Sequence, residues 1–379
     1  MGTGAGERAT GRRDGELMNL DQVEKIAEAV LYEGYMLYPY RASAVKNQQR
    51  WNFGVLCPRA YSEAQNGSDA WMMQTECLLR TIASTRLGVK IRFLQIVDRS
   101  IGKLTRPVRE LTHEWEPEFE IVDKLNAGGQ TYSSWQEAVE REVIVSPLHP
   151  ADFLSRKPVL FEFSASRELE PIRDASALNE DGVIVGVVIR KWKEIAGSVE
   201  IGVKDCGEGL IKVTVRIRNL TLSESPHCRS RADALMYSLV SVHTILVAEG
   251  GQFVSLLDPP QELQMLVGEC SNVGTWPVLA GDAGDRSTVL SSPIILYDYP
   301  QIAPESPGSL FDGTEIDEIL SLRILTMTDE EKREMRQSDE WARQILERTE
   351  NMPPEQFMKL HGALRGLQPV GTHGNPEAR

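Results

Sequence analysis

The sequence lacks every short motif that would identify a common catalytic or cofactor site. It contains no nucleophile elbow, no phosphate-binding glycine loop followed by Lys and Ser or Thr, and no HExxH zinc signature. The glycine-rich stretch at 2–6 follows no strand, as a dinucleotide-binding loop would require. Motifs therefore assign no reaction to this chain, and no cofactor is predicted.

Cysteines and long apolar runs are both scarce. The five cysteines, at positions 57, 77, 206, 228 and 270, are odd in number and widely spaced, which favours reduced thiols over a disulfide framework. The amino terminus lacks the apolar core of a secretory signal. No stretch approaches the roughly 18 apolar residues of a membrane-spanning helix. We therefore predict a cytoplasmic protein without a membrane span.

Basic residues are outnumbered, since 41 Lys and Arg stand against 55 Asp and Glu, giving a net charge of −14. No basic stripe offsets this repulsion, so nucleic acid is not an expected partner. A chain of 379 residues is too long for one ordinary core. We predict a disordered amino terminus at 1–17, a core domain at 18–310, a helical segment at 311–366 and a flexible tail at 367–379.

The clearest strand pattern lies at 198–221. Val199, Ile201 and Val203 alternate with polar residues, a glycine-rich turn follows, and Ile211 to Ile217 alternate again, which predicts a hairpin. The segments VLFEFSAS and VIVGVVIRKW add two strands upstream. The predicted fold class is α+β, with an antiparallel β-sheet core, flanking helices and a helical carboxy-terminal appendage.

Two further segments have the pattern of strands. Residues 89–97 begin with strict alternation, and we expect them to pair with residues 72–82. The segment WNFGVLCP, at 51–58, is predicted to be a short strand.

Helical spacing occurs in three regions. Residues 20–31 follow Asn19 as a helix cap, and a second helix is predicted from Ser230 through Val247 to the glycines at 250–251. Near the carboxy terminus, Thr314 with Asp317 and Thr328 with Glu331 have the spacing of capping boxes.

The stretch 28–56, EAVLYEGYMLYPYRASAVKNQQRWNFGVL, gathers tyrosines, a tryptophan and basic residues. Such residues suit a partner-binding surface. They also suit a layer that covers a sheet while its polar tips reach backbone groups, and both roles stay open. The candidate partner-binding residues are Tyr35, Tyr38, Tyr40, Arg41, Lys46, Arg50 and Trp51.

The candidate metal ligands are His227, Cys228, His243 and Cys270. Zinc or iron would need three or four such nitrogen and sulfur ligands to converge, and no CxxC pair anchors them. His243 falls on the apolar face of the predicted helix, so the alternative is a hydrogen-bonded core histidine.

Several segments together resemble an uncharacterised family encoded among nickel-iron uptake hydrogenase genes. They are AVLYEGYMLYPYRASAVKNQQRWNFGVLCP, MQTECLLR, KIRFLQ, LFDGTEIDEILSLRILTMTDEEKRE and LHGALRG. The resemblance covers most of the chain and implies an accessory part in making, assembling or supporting the hydrogenase. It implies no catalytic residues. The chain stops soon after LHGALRG, where longer members of the family continue into a further small domain.

Two functions follow as hypotheses. The first is a non-catalytic accessory protein that binds a hydrogenase subunit or a maturation factor. The alternative is a metal carrier or a small-molecule enzyme with an unrecognised site, which would need the four candidate ligands or another polar pocket to converge.

Overall fold

The computed structural model describes residues 53–111, 117–174, 182–222, 230–300, 324–336 and 340–351, together with Val23, Ile26, Ala27, Leu31 and Pro353. Within these ranges the protein is mostly β, with one large antiparallel sheet and a few short helices. The predicted antiparallel core is confirmed, whereas the helical share of the described chain is smaller than an α+β fold implies.

Thirteen strands are present in the described chain. They are β1 (Met72–Val108), β2 (Phe119–Val122), β3 (Lys124–Ala127), β4 (Gln130–Ser133), β5 (Trp135–Leu148), β6 (Val159–Phe163), β7 (Ser166–Asp174), β8 (Val183–Trp192), β9 (Ile195–Gly207), β10 (Leu210–Asn219), β11 (Val240–Phe253), β12 (Trp276–Leu279) and β13 (Thr288–Ser292). Eleven form one sheet with the main order β12-β13-β11-β1-β10-β9-β6, and β3 and β4 form a separate hairpin.

The helices are short. They are α1 (Arg59–Ala64), α2 (Arg231–Leu235), α3 (Gln264–Gly268), α4 (Asp329–Arg336) and α5 (Glu340–Glu350), with 3₁₀ turns at Pro150–Leu154 and Gln261–Leu263. Val23, Ile26, Ala27 and Leu31 are also helical and buried, in agreement with the helix predicted at 20–31.

Strand β1 is 37 residues long and organises the whole sheet. It pairs with β10 near its start, with β11 and β5 along its middle, and with β8 and β2 near its end. The predicted pairing of 72–82 with 89–97 is wrong, because both segments belong to this one strand. Between the two segments the register with β11 shifts from Thr81 to Arg86, so β1 bulges there and continues as one strand.

The hairpin predicted at 198–221 is confirmed as β9 and β10. Gly207, Glu208 and Gly209 all have positive φ at its tip, a conformation that glycine adopts without strain. Along β10 the apolar residues are buried while Lys212 and Arg216 on the opposite face are partly exposed, as the alternation predicts.

The inner face of the sheet forms the main core. Phe93 of β1 lies at its centre, with ring centroids 5.8 Å from both Phe161 and Phe163 of β6. Because β6 is the edge strand at the far end of the order from β12, these contacts require the sheet to curl over its own inner face. Phe153, in the 3₁₀ turn that links β5 to β6, is buried in the same core.

The helix predicted from Ser230 to Gly250 is correct only at its start. Ser230 caps α2 by accepting the N–H of Asp233, but α2 ends at Leu235 and β11 begins at Val240. The segment Val240–Val247 is rich in β-branched residues and is buried on both faces, so its apolar run carries no strict period of two. The apolar run was therefore compatible with a helix or with a strand.

The outer face of the sheet is covered beside β11 and β13. Val23, Ile26 and Ala27 pack with Ile245 and Leu290, and Leu31 packs with Leu94, Ile96 and Val240. The short strand predicted at 51–58 is not present in its described part, where Leu56 alone forms a β-bridge, to Leu239. Beside this bridge, the backbone carbonyl of Phe53 accepts the N–H of Ser241, and the backbone carbonyl of Gly54 accepts the N–H of Val242.

The capping box predicted at Thr328 and Glu331 is confirmed. Thr328 donates its backbone N–H to the Glu331 carboxylate, and Glu331 donates its N–H to the Thr328 hydroxyl. Helices α4 and α5 contact each other through Glu350, which pairs with Lys332 and Arg336. The box predicted at Thr314 and Asp317 lies outside the described residues.

Candidate functional site

The seven candidate partner-binding residues lie outside the described residues, but both ends of their segment are placed. Leu31 and Val55 pack against the same cluster on the outer face of the sheet, which contains Leu94, Ile96 and Val240. The residues on either side of the candidate stretch therefore contact the same part of the sheet. Binding segments are commonly held in this way.

His243 is the best-defined candidate ligand. It lies on β11 and is fully buried, with Nδ1 2.7 Å from the carbonyl oxygen of Ser241 and Nε2 3.1 Å from the hydroxyl of Ser292. Because a carbonyl only accepts, Nδ1 carries the proton and the Ser292 hydroxyl donates to Nε2. The Ser292 oxygen also accepts the N–H of Ile294. Both ring nitrogens of His243 therefore form hydrogen bonds within the protein.

The backbone beside His243 is unusual. Ser241 has φ 53°, a left-handed conformation that is costly for a residue other than glycine, and the register with β1 shifts here between Arg92 and Leu94. The hydrogen bond from His243 to the Ser241 carbonyl lies within this bulge. The histidine therefore holds the bulge in β11 and ties it to β13.

The Ser292–His243 contact has the distance of a nucleophile and its general base. Both side chains are fully buried, however, and the third partner is a backbone carbonyl instead of a carboxylate. Burial lowers the pKa of His243 to about 4, the hydrogen bond to Ser241 opposes this, and the charge of Arg92 adds to it. The pair is suited to holding strands together, and a substrate would reach it only if the outer layer opened.

We expect His243 to make stability depend on pH. Its pKa is about 4 in the folded protein and 6.5 when unperturbed, so the unfolded state binds the extra proton. The contribution is fully present above pH 6.5 and is lost as the pH falls towards 4. Between pH 7 and pH 5 the free energy of unfolding should fall by about 2 kcal/mol more in the wild type than in His243→Gln.

Urea unfolding at the two pH values measures this difference. His149→Gln, which removes a partly exposed histidine that caps the 3₁₀ turn after β5, is the matched control and should leave the wild-type pH dependence in place. An equal pH dependence in the wild type and His243→Gln would show that His243 is not held neutral by the fold.

Cys270 lies in a different environment from His243. It packs, together with Cys206, against a cluster that contains Leu78, Leu210 and Val254, and its Sγ lies 3.6 Å from the Leu266 carbonyl oxygen. Burial raises the pKa of the Cys270 thiol to about 11, and the charge of Glu76 acts in the same direction. The thiol is therefore protonated at neutral pH, which disfavours both metal binding and nucleophilic attack. The described cysteines form no disulfide.

Glu76, which the sequence did not single out, anchors the segment that follows Cys270. Its carboxylate accepts the N–H of Ser271 at 2.8 Å and the hydroxyl of Thr214 at 3.0 Å, and it lies 3.3 Å from the Lys212 ammonium. Burial alone would raise the pKa of Glu76, but these contacts together lower it. Its partners lie far away in the sequence, so no local pattern indicated the role.

Only two of the four candidate metal ligands have described positions. His227 and Cys228 lie outside the described residues, whereas His243 and Cys270 contact different clusters. Among the residues with described positions, no group of three or more His, Cys, Asp or Glu is arranged to hold a metal. A metal site that includes His227 and Cys228 stays a prediction.

The chain matches no protein-family model, and no curated protein matches it. Over the described ranges, no helix has the length and apolar character needed to cross a membrane.

Proposed function

We propose that this protein supports the assembly, maturation or function of a nickel-iron hydrogenase by binding a hydrogenase subunit or a maturation factor. The observation that carries the proposal is the resemblance of five sequence segments to an accessory family encoded with such enzymes. The binding would take place in the cytoplasm and would not involve nucleic acid, in keeping with the net charge of −14.

The proposed binding segment is the aromatic and basic stretch that contains Tyr35, Tyr38, Tyr40, Arg41, Lys46, Arg50 and Trp51. Tyrosine, tryptophan and arginine contribute most to binding energy at protein interfaces. The shared anchoring of Leu31 and Val55 supports this assignment, because it fixes both ends of the segment on the sheet. A partner would then meet a segment whose ends lose little further conformational freedom on binding.

The carboxy-terminal helices are proposed as a second contact. Helices α4 and α5 pair through ionic contacts of Glu350 with Lys332 and Arg336, while Met335 and Leu346 are buried. Such short helices bury a narrow apolar stripe. We propose that the segment 311–366 is an appendage that contributes to partner binding.

The proposal is tested by affinity purification of the tagged protein from cells that express the hydrogenase. We expect a hydrogenase subunit or a maturation factor to be recovered in near-stoichiometric amount. A second preparation, ending at Ser309, should keep its melting temperature and bind more weakly if the appendage contributes. Failure to recover either kind of partner while active hydrogenase is being made contradicts the proposed function.

A charge-removal variant locates the contact. Changing Arg41, Lys46 and Arg50 together to alanine should weaken binding of the recovered partner at least about tenfold, because basic and aromatic anchors carry most interface energy. The matched control changes Arg106, Arg109 and Lys157 to alanine, since these three side chains are exposed on the sheet and its connections. Equal binding by both variants would exclude the aromatic and basic stretch as the contact.

A further inference from the structure

Most arginines that the sheet partly buries are paired with carboxylates. Arg92 lies 2.9 Å from Glu140, and Arg99 lies 3.3 Å from Glu137. Arg190 contacts both Glu137, at 2.7 Å, and Glu170, at 2.6 Å. These pairs offset the cost of removing a guanidinium from water.

Arg141 of β5 differs from these arginines. Its Nε donates to Oε1 of Gln95 at 2.8 Å, and its guanidinium carbon lies 4.9 Å from the ring centroid of Phe163. Among the residues that the structure describes, no carboxylate lies within ion-pair distance of Arg141, and its two terminal amino groups have no hydrogen-bond acceptor. Burial lowers the pKa of Arg141, and its terminal amino groups remain accessible to solvent.

The orientation of the Arg141 guanidinium is fixed by Gln95. Gln95 is fully buried, and its Nε2 donates to the Lys193 carbonyl at 2.7 Å. Because that bond defines which end of the amide is the nitrogen, the Gln95 oxygen must face Arg141. The guanidinium is thus held at Nε by an immobile acceptor and on one face by an aromatic ring. Its remaining N–H groups keep the fork geometry that binds two oxygens at once.

We propose that Arg141 is the anchor of a binding site for a carboxylate ligand, located between β5 and β6 where Phe163 borders the main core. An oriented guanidinium that has no carboxylate partner gains most from a planar two-oxygen anion, which completes an ion pair with it. The site requires no metal and is independent of the proposed hydrogenase role.

The charge at this position favours a carboxylate over a phosphate. A phosphate carries up to two negative charges and is usually bound by several cations, whereas Arg141 supplies one. The ammonium of Lys193 lies over the Tyr237 ring, 5.9 Å from its centroid, and is directed to that ring. The rings of Phe161 and Phe163, which are partly exposed, provide an apolar surface beside the guanidinium. A carboxylic acid with an apolar body matches both features.

Two probes distinguish the sources of such a carboxylate. Benzoate represents a free organic acid, and a short apolar peptide with a free carboxyl terminus represents a protein segment, with its amidated form as the matched probe. Each is titrated into the full-length protein in the millimolar range at constant ionic strength, and melting temperature is recorded. We expect a saturable rise with at least one of the two carboxylates and none with the amidated peptide.

Variants assign the effect to Arg141. Arg141→Lys should bind about tenfold more weakly, because lysine keeps the charge but loses the fork, and Arg141→Gln should show no saturable rise. Arg86→Gln, which removes an exposed arginine on the neighbouring strand β1, should bind like the wild type. If Arg141→Gln does not fold, the Arg141→Lys comparison decides. Equal binding by wild type and Arg141→Lys, or no saturable rise with either carboxylate, overturns the proposal.

Discussion

Phe93→Ala is expected to lower the free energy of unfolding by about 3–5 kcal/mol, the range for removing a fully buried aromatic side chain. Phe93 is completely inaccessible to solvent and lies at the centre of the inner core. The loss combines the transfer energy of the ring with the cavity left beside Phe161 and Phe163, whose ring centroids each lie 5.8 Å away. Chemical denaturation at neutral pH measures the change.

Leu160→Ala is the control for Phe93→Ala. Leu160 lies on β6 immediately before Phe161, but it is 72% exposed. Its removal should change the free energy of unfolding by less than about 0.5 kcal/mol. A cost below about 1 kcal/mol for Phe93→Ala would contradict the curled sheet, because the ring would then lack its contacts with β6.

Gly197→Ala is expected to cost about 3 kcal/mol, at the upper end for overpacking a core. A Cβ at Gly197 would lie 2.2 Å from Cζ of Phe161 and 2.8 Å from the backbone oxygen of Arg218. The oxygen belongs to the paired strand β10, so it moves only if the ladder between β9 and β10 is distorted. Thermal and denaturant unfolding of the variant test this expectation.

Gly202→Ala, in the same strand, is the matched control. The closest atom to a Cβ at Gly202 is Cβ of Thr214, at 3.8 Å, which is ordinary contact. This substitution should be neutral or stabilise by a few tenths of a kcal/mol, because alanine restricts the unfolded chain. Equal costs for the two variants would show that the close approach of Phe161 and Arg218 to Gly197 is not what matters.

Local signals predicted the features that depend on neighbouring residues. The β9–β10 hairpin followed from two alternating runs joined by glycines, because a strand buried on one face must alternate. The caps at Ser230 and Thr328 followed from side chains that satisfy backbone N–H groups within three residues. None of these features needs a distant partner.

Two incorrect predictions, the long helix from Ser230 and the pairing of 72–82 with 89–97, had a common cause. Residues 240–247 are buried on both faces, because the outer layer covers β11 on one side and the core covers it on the other, so the sequence period that separates strand from helix was lost. Residues 72–97 looked like two strands because four of the six residues from Thr81 to Arg86 are polar, although this segment forms a bulge inside β1. In both cases the deciding contacts come from other parts of the sheet.

The sequence by itself determined an antiparallel sheet core, its alternating hairpin and the helix caps at Ser230 and Thr328. Only the tertiary structure decided the course of β1, the closing contact of Phe93 with β6, the role of His243 and the environment of Arg141. Ser292 is 49 residues from His243, and Gln95 is 46 from Arg141. Such contacts arise from strand order and sheet curvature, which local periodicity does not encode.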